Sequence, residues 1–421
     1  MPLWFRIVYS LLWCVALPFA FLSLWLRGKK NPHYREHWRE RVALRGTRVD
    51  VDVWIHAVSV GEARASATIV RELLRQDKRI LITCTTPTGR ATLRELFGNK
   101  ASIRYLPFDA PFLIRKMLRN SRPKLGILME TEVWPGVCSV ATQERVPLWL
   151  VNARLSERSA RGYARAGSLT RSMFGLLSGV AAQTQEHSTR FSALGAHNVH
   201  VLGNLKFDLA IPDFLQPRAD RLTEHMTSGN AARPFWVAGS TREGEDAAIL
   251  NALVTHPLRE RAMAVIVPRH QERWQSTYQL AKKLGFSVAR RSDAEIAPDS
   301  EVIIGDSMGE MLSYYANAKV VVMGGSLGGT GSQNLIEPCA LGVPVVLGPS
   351  VFNFKEAAEA ALTLGAAKPA RDSREALTVV LEFLDDEMHR RRVGARAREF
   401  VAAHRGATEK TLRLLGLSDR R

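Results

Sequence analysis

The feature that most constrains this chain is a repeated alternation, beginning after residue 50, between short apolar runs and segments with helical spacing. Apolar runs such as VDVWIHA, RILITCT and KLGILME alternate with amphipathic segments such as ATIVRELLRQ and FLIRKMLRN. Buried strands that alternate with helices predict parallel sheets joined by crossover helices. The alternation stops between residues 209 and 234, where Pro212, Pro217 and Pro234 occur, and it resumes at FWVAGS.

The two alternating halves predict an α/β protein with two Rossmann-like, doubly wound domains that face each other across a cleft. We expect an N-terminal membrane anchor with its basic flank at residues 1–30 and a first domain at 31–210. A linker at 211–234 would then lead to a second domain at 235–421. Ligands of such sheets bind beyond the carboxyl ends of the strands, so motifs at those ends are the candidate functional residues.

The N-terminal segment has no charged side chain between residues 7 and 26. Twenty helical residues extend about 30 Å, the thickness of the hydrocarbon core, so this segment can span a bilayer once. Residues 27–48 contain eight Lys or Arg against two Glu, which by the positive-inside rule places the rest of the chain in the cytoplasm. A cleaved signal peptide is the alternative, but a basic cluster directly after the apolar run favours a retained anchor.

The balance of charge predicts an anionic partner, because 58 Lys and Arg oppose 41 Asp and Glu and leave +17. Nucleic acid, an acidic membrane surface and a phosphorylated substrate all fit that charge. The basic cluster after the anchor would lie on anionic lipid headgroups, which accounts for much of the excess without nucleic acid. The four cysteines are far apart, which argues against a zinc cluster or disulfide framework and favours a reduced, cytoplasmic protein.

The first candidate motif, HAVSVGEAR at residues 56–64, leaves a predicted strand and enters a predicted helix. Glu62 falls in the first helical turn, where the positive end of the helix dipole favours an ionised carboxylate. Such a carboxylate at the mouth of a cleft can act as a general base. Ser59 and Glu62 are three residues apart, so a purely structural capping pair is the alternative.

Two further motifs of the first half are LMETEVWP at residues 128–135 and GNLKFD at residues 203–208. Glu130 and Glu132 would point to the same face of a strand, where repulsion would raise the pKa of one of them. Solvated charges at a helix entry are the alternative. Lys206 is either a surface residue or, at an interdomain cleft, a partner for an anion.

In the second half, VPRH at residues 267–270 and GDSMGEM at residues 305–311 follow predicted strands. The longest motif, residues 324–349, predicts a strand, a glycine-rich turn and a helix that begins near residues 332–334. This pattern predicts a concave set of backbone N–H donors suited to phosphate. Glu337, one turn into that helix, is a candidate for contact with ribose hydroxyls.

Two motifs point to other chemistry. GGSLG matches the G-x-S-x-G elbow around Ser326, with Asp385 and His404 downstream, but further glycines follow where the elbow requires a helix. Asp50 and Asp52 match a metal-binding D-x-D pair, yet they precede a strand, so we interpret them as solvated turn residues. A membrane-anchored serine hydrolase, a basic nucleic-acid-binding protein and a non-catalytic membrane scaffold are three classes that the sequence leaves open.

The motifs HAVSVGE, LMETEVWP, VNARLSERS, GNLKFD, VPRH, GDSMGE and NLIEP, with the apolar N terminus, closely resemble those of the 3-deoxy-D-manno-octulosonic acid (Kdo) transferases of lipopolysaccharide synthesis. The resemblance covers essentially the whole chain, in order. It implies the GT-B fold and transfer of Kdo from CMP-Kdo, without a metal cofactor, to lipid IVA, the tetra-acylated lipid A precursor. It also implies a location on the cytoplasmic side of the bacterial inner membrane.

The same resemblance implies roles for individual residues. Glu62 would be the catalytic base, and Glu130 and Lys206 would assist the transition state; one base without an opposing nucleophile indicates inversion. The CMP-binding segments would contain Pro268, Arg269, Met308, Gly309, Glu310, Asn334, Leu335, Ile336 and Glu337. The family commonly has GGHN before its last segment, whereas residues 331–334 are GSQN here.

Overall fold

The computed structural model describes residues 1–29, 31–44, 50–228 and 233–418. Its contacts divide the chain into two compact units. Met1–Asp208 and Arg405–Arg421 form the first unit, and Leu209–His404 forms the second. Each unit contains a parallel sheet flanked by helices, as the alternating sequence predicts.

The described strands form one sheet in each unit. The first sheet contains β1 (Val53–His56), β2 (Ile80–Cys84), β3 (Ser102–Tyr105), β4 (Leu125–Met129), β5 (Leu148–Ala153), β6 (Gly179–Ala182) and β7 (Val199–Val201). The second sheet contains β8 (Phe235–Thr241), β9 (Met263–Pro268), β10 (Val288–Arg290), β11 (Val302–Ile304), β12 (Val321–Met323), β13 (Val345–Leu347) and β14 (Ala367–Pro369).

The helices of the first unit lie before and between its strands and at the end of the chain. They are α1 (Leu3–Arg27), α2 (Trp38–Arg41), α3 (Val60–Arg75), α4 (Pro87–Phe97), α5 (Pro111–Ser121), α6 (Pro135–Gln143), α7 (Glu157–Arg165), α8 (Ser168–Phe174), α9 (Gln185–Ala193) and, after the second unit, α19 (Ala407–Leu414). Short 3-10 turns cover Pro32–Arg35 and Leu205–Asp208.

The second unit has its own set of helices. They are α10 (Leu215–Met226), α11 (Glu245–Val254), α12 (Leu258–Arg261), α13 (Trp274–Lys283), α14 (Met311–Asn317), α15 (Ile336–Leu341), α16 (Lys355–Thr363), α17 (Ser373–Asp385) and α18 (Glu387–Ala403). Short 3-10 turns cover Gln271–Arg273 and Phe352–Phe354.

The strand order of each sheet defines where a ligand is expected. The first sheet has the order β3-β2-β1-β4-β5-β6-β7 and the second β10-β11-β9-β8-β12-β13-β14, with neighbouring strands parallel. The order reverses between β1 and β4 in the first sheet and between β8 and β12 in the second. These reversals are topological switch points, where open α/β sheets bind ligands.

Local sequence accounts for the helix starts and for the buried strands. Ser59 and Thr86 accept backbone N–H bonds as N-caps of α3 and α4. In the first unit, Trp54 and Leu128 pack on one face of the sheet, and Ile55 and Ile82 pack on the other. Because helices cover both faces, the strands are continuous apolar runs rather than alternating ones.

The segment predicted as a linker, residues 211–234, is partly helical in the structure. It contains helix α10, which packs against α14 of the second unit, and the Gln216 side chain donates to Asn317 at 2.9 Å. Residues 229–232 of that segment lie outside the described residues. Pro212 precedes that helix and Pro217 lies in its first turn, where a proline removes no helical hydrogen bond.

The structure also ends the second unit earlier than the predicted boundary at residue 421. Helix α19 belongs to the first unit, where Ala407 and Leu412 lie in the core. Asp208 accepts the backbone N–H groups of Gly406 and Thr408 and so fixes the start of that helix. An amphipathic pattern shows which face of a helix is buried but not which sheet it covers.

The N-terminal segment contains the one helix, among the described residues, that is long and apolar enough to cross a membrane, α1. The basic flank after it is only partly available to headgroups. Arg41 is buried, lies 3.9 Å from the centre of the Tyr105 ring and donates to the Thr85 carbonyl. Exposed basic residues of this flank are Arg27, Lys29, Arg35 and Arg39. Lys30, Arg45 and Arg48 lie outside the described residues.

Glu40 and Arg90 form a buried ion pair that fixes α2 to the first unit. Their two hydrogen bonds measure 2.6 and 3.1 Å, and the side chains are 5% and 9% exposed. The Tyr105 N–H donates to the same carboxylate at 2.9 Å. Removal of one partner would leave the other buried and unpaired.

We expect Arg90→Met to lower the free energy of unfolding by about 3–5 kcal/mol, because the Glu40 carboxylate loses its buried counter-charge. The matched control is Arg75→Met, which breaks an exposed pair with Glu72 and should cost less than about 1 kcal/mol. Thermal denaturation of both purified variants in detergent measures the difference. Equal Tm values for the two variants would contradict the expectation.

Candidate active site

Glu62 lies in the first turn of α3, just beyond the carboxyl end of β1 at the switch point of the first sheet. Its carboxylate accepts the Val58 N–H at 2.8 Å and the Ser59 hydroxyl at 3.0 Å. Its own N–H donates to the Ser59 oxygen at 3.4 Å, so the capping arrangement is present. These bonds hold both carboxylate oxygens in place.

The electrostatics of Glu62 differ from those of an ordinary helix cap. The residue is 8% exposed, and burial raises the pKa of Glu62 to about 7. The nearby charges of Glu130 and Glu132 also raise it, against the hydrogen bonds from Val58 and Ser59. The helix dipole favours the ionised form, as the sequence predicts, but burial has the larger effect on the pKa of Glu62. A carboxyl group with a pKa near 7 is well suited to exchange a proton at neutral pH.

Glu130 follows β4, the strand next to β1, and is held between two cations. Lys206 Nζ lies 3.0 Å from one carboxylate oxygen and Arg154 Nε lies 2.9 Å from the other. Glu130 is 5% exposed, and burial would raise its pKa, but the charges of Lys206 and Arg154 hold the pKa below its usual range. The structure therefore joins the predicted residues Glu130 and Lys206 directly.

Three segments of the first unit meet at Glu130: the ends of β4 and β5 and the 3-10 turn Leu205–Asp208. Asn152 near the end of β5 accepts the Leu205 N–H at 3.0 Å and so ties that turn to the sheet. Both Glu130 and Asn152 have φ of +54°, in the left-handed region that non-glycine residues rarely adopt. Such backbone conformations concentrate at functional sites.

Glu132 does not form the predicted same-face strand pair with Glu130. Strand β4 ends at Met129, and Glu132 lies in the turn before α6, where it accepts the Trp134 indole N–H at 2.9 Å. Burial raises the pKa of Glu132. The pKa values of Glu62 and Glu132 are therefore raised, while that of Glu130 is lowered.

On the second unit, Arg269 and Glu337 each act electrostatically on the buried Tyr315. Arg269 follows β9 and is exposed, and its backbone N–H donates to the Thr241 carbonyl at 3.0 Å. Glu337 is in the first turn of α15. Burial raises the pKa of Tyr315, with Glu337 raising it further and Arg269 opposing the increase. Two of the predicted CMP-binding residues thus affect the same buried side chain.

The other predicted CMP-binding residues of the second unit differ in burial and in hydrogen bonding. Pro268, Leu335 and Ile336 are buried, and Asn334 accepts the Ile336 N–H at 3.2 Å just before α15. That helix begins at Ile336, later than the predicted start at residues 332–334.

The three predicted CMP-binding residues of the segment GDSMGEM have surroundings that differ from one another. Met308 is exposed, and Gly309 has φ of +75°. Glu310 accepts from Arg218 at 3.3 Å and from Arg291 at 3.2 Å. Burial would raise the pKa of Glu310, but its hydrogen bonds and these arginines hold the pKa below the usual range. Glu310 therefore holds the side chains of Arg218 and Arg291 in place.

The glycine-rich turn is not the open phosphate site that the sequence predicts. Glu245, in the first turn of α11, accepts the backbone N–H groups of Gly325, Leu327 and Gly328 at 2.6 to 2.9 Å. It also accepts the Arg242 N–H at 2.7 Å. The prediction of a phosphate cradle is wrong for these donors, because a carboxylate of the protein occupies them.

The alternative motifs have structural rather than chemical roles. Ser326 is buried, donates to the Met323 carbonyl and accepts the Gly348 N–H at 2.8 Å, which excludes it as an accessible nucleophile. Asp52 accepts the Arg79 N–H and pairs with Lys124 at 2.8 Å.

Metal ligands were not expected from the sequence. Across residues 1–29, 31–44, 50–228 and 233–418, no group of three His, Cys, Asp or Glu side chains could hold a metal ion. That the enzyme uses CMP-Kdo without a metal ion, as the resemblance implies, stays a prediction.

Sequence reasoning missed two residues that shape these sites. Arg154, in VNARLSERS, completes the ion pairs of Glu130, and its position just after β5 was an available signal. Glu245 lies at the start of the helix after FWVAGS, but its bonds to a turn 80 residues later leave no local pattern.

Solved structures resemble most of this chain in fold. A UDP-GlcNAc 2-epimerase from Neisseria meningitidis has a TM-score of 0.59 and 13% identity, and covers 87% of this chain and 100% of that chain. A glycosyltransferase from Rickettsia africae also has a TM-score of 0.59, with 11% identity over 88% of this chain and 100% of that chain. These likenesses concern the fold alone, and they confirm a GT-B-like fold.

Sequence comparison identifies the family. A family sequence model described as 3-deoxy-D-manno-octulosonic-acid transferase (kdotransferase) matches residues 36–209. The 3-deoxy-D-manno-octulosonic acid transferase of Bordetella pertussis is 38% identical over 97% of this chain and 98% of its own length. That of Haemophilus influenzae is 34% identical over the same shares. This chain therefore belongs to the 3-deoxy-D-manno-octulosonic acid transferase family and is a glycosyltransferase of lipopolysaccharide biosynthesis.

Proposed function

We propose that this enzyme transfers Kdo from CMP-Kdo to lipid IVA with inversion, and that Glu62 is the general base. The observation that carries the proposal is the Glu62 carboxyl group, buried at the switch point of the first sheet with a pKa of about 7. A sugar hydroxyl is a weak nucleophile, and a base of this strength can accept its proton as the new bond forms.

The proposed step is a single displacement. The acceptor hydroxyl gives its proton to Glu62 while its oxygen bonds to the anomeric carbon of Kdo, and the bond from that carbon to the CMP phosphate breaks. Attack from the side opposite the leaving group inverts the configuration. General base catalysis of this kind contributes about 10²–10⁴ in rate.

The group formed by Glu130, Lys206 and Arg154 supports the transition state. One negative and two positive charges leave +1; Glu130 is buried, Lys206 is 18% exposed and Arg154 is 45% exposed. Kdo carries a carboxylate and lipid IVA carries phosphates, so this group can attract either anion. The fixed negative charge of Glu130 also helps to keep the pKa of Glu62 high.

The second unit would hold the donor through Arg269 and Glu337. The exposed Arg269 guanidinium suits the CMP phosphate, and the Glu337 carboxylate can accept from ribose hydroxyls. Met308 and Asn334 would border the nucleotide. Because Arg269 would neutralise charge on the CMP phosphate, the proposed reaction needs no bound metal.

The acceptor and the charge distribution together favour a location at the cytoplasmic face of the bacterial inner membrane. Lipid IVA stays in the bilayer, and α1 is apolar enough to enter it. The exposed basic residues after α1 suit anionic headgroups. On this proposal the excess positive charge serves the membrane and the phosphorylated substrates, and nucleic acid is not a partner.

We expect Glu62→Gln to lower kcat by at least about a hundredfold, because glutamine cannot accept the proton. Glutamine can keep both hydrogen bonds, to the Val58 N–H and to the Ser59 hydroxyl, so Tm and CMP affinity should hardly change. The matched control is Glu72→Gln on the same helix, which loses only a surface pair with Arg75. A kcat for Glu62→Gln within a few-fold of the control would remove Glu62 from the mechanism and leave it a helix cap.

The raised pKa of Glu62 predicts a pH dependence. The base acts when deprotonated, so kcat/KM should fall below pH 7, by about tenfold per unit once the pH is well below the pKa. Rates of Kdo transfer, measured from pH 5 to 9 with saturating CMP-Kdo, test this pH dependence. An acidic limb centred near 4.5 would show that the essential carboxyl group is solvated and is not Glu62. The limb should be missing from the residual activity of Glu62→Gln.

We expect Arg269→Ala to weaken CMP binding by about ten- to a hundredfold, because a charge-assisted contact with phosphate is lost. Arg261→Ala is the matched control, since Arg261 is an exposed arginine of the same unit that pairs with Asp385. Calorimetric titration of CMP into both variants measures the effect. Equal affinities for the two variants would place the phosphate elsewhere.

A further inference from the structure

Helix α1 has two different faces in the structure. Tyr9, Trp13, Phe21 and Leu24 are partly or fully buried against the first unit and are spaced so that they share one side of the helix. The opposite side is exposed and includes Ile7, Leu11, Leu12, Val15, Phe19 and Leu22.

The contacts of the inner face extend along most of the helix. Near its start, the Tyr9 hydroxyl donates to the Asp109 carboxylate at 2.7 Å. Farther along, the rings of Trp13 and Phe21 lie 5.9 and 5.4 Å from that of Phe108. The Phe21 ring also lies 5.1 Å from that of Trp38. From residue 9 to residue 21 the helix rises about 18 Å, so the docked stretch covers more than half the thickness of a hydrocarbon core.

A docked helix of this kind cannot stand across a bilayer. Asp109 is a buried residue whose carboxylate accepts the N–H groups of Gly136 and Val137 at the start of α6. If α1 spanned the membrane, this loop and α5, which carries Arg115 and Lys116, would enter the hydrocarbon. Irregular backbone and charged side chains in contact with lipid are too costly there.

We infer that α1 lies in the plane of the membrane, docked on the first unit, with its outer apolar face sunk into the cytoplasmic leaflet of an anionic bilayer. The exposed Arg27, Lys29, Arg35 and Arg39 next to it would meet the headgroups. This inference concerns how the enzyme sits on the membrane and holds for any membrane-bound acceptor.

The same surface continues towards the candidate base. Phe112 and Trp134 are exposed and lie close in sequence to Asp109 and Gly136, which meet at the Tyr9 end of α1. The Trp134 indole donates to Glu132, whose charge acts on Glu62. An in-plane helix would therefore bring the Glu62 side of the first unit to the membrane surface, where an acylated acceptor could reach it without leaving the lipid.

Cross-linking in native membranes tests the docking. In the full chain with Cys14→Ala, the pair Trp13→Cys and Phe108→Cys places thiols across the contact, whereas Val15→Cys and Phe108→Cys places one thiol on the outer face. A short bismaleimide, followed by mass spectrometry of the linked peptides, should link the first pair at least about tenfold more than the second. Equal yields would overturn the docked arrangement.

The side of the membrane from which residues 2 and 418 can be labelled tests the orientation of α1 independently. In the same Cys14→Ala background, Pro2→Cys and Ser418→Cys are labelled separately with a membrane-impermeant maleimide, in inside-out and in right-side-out vesicles. An in-plane helix predicts that both positions label from the same face. Labelling from opposite faces means that α1 spans the membrane and overturns the inference. If both label only in right-side-out vesicles, the in-plane helix stands and the proposed cytoplasmic location is wrong.

Discussion

The burial of the Glu130 carboxylate between Lys206 and Arg154 is the interaction on which the first unit's candidate site depends. It joins the ends of two neighbouring strands to the turn after the last strand of the sheet. Its charge adds to the effect of burial on Glu62. Two carboxyl groups in one region thus have pKa values shifted in opposite directions, the arrangement that assigns one to proton transfer and the other to permanent charge.

Much of the fold could be predicted from the sequence, because strands buried on both faces are continuous apolar runs. VDVWIHA and FWVAGS contain β1 and β8, and the rule that ligands bind at strand ends led to Glu62, Glu130 and Lys206. The strands that the sequence analysis missed, β10 and β14, have three residues each and lie at the sheet edges. Each of these two strands contains a basic residue among its three, so neither forms a continuous apolar run.

The parts of the site that could not be predicted depend on partners distant in the sequence. The glycine-rich turn has the composition of a phosphate loop, and only the folded chain shows that Glu245 occupies its donors. The helix dipole predicts an ionised Glu62, whereas the degree of burial, which sets its pKa, is a property of packing. Arg154 lies in the motif VNARLSERS, but its partner Glu130 is 24 residues away, just after the neighbouring strand, so the motif alone does not show the ion pair.

The return of the chain to its first unit has a consequence for biosynthesis. Because Ala407 and Leu412 complete the core of that unit, the ribosome must pass residue 412 before the domain it began first can close. The second unit is continuous from Leu209 to His404 and can fold as soon as it emerges. During that interval α1 is already available to lipid while its docking surface is incomplete, so membrane contact would precede the final assembly of the domain that carries Glu62.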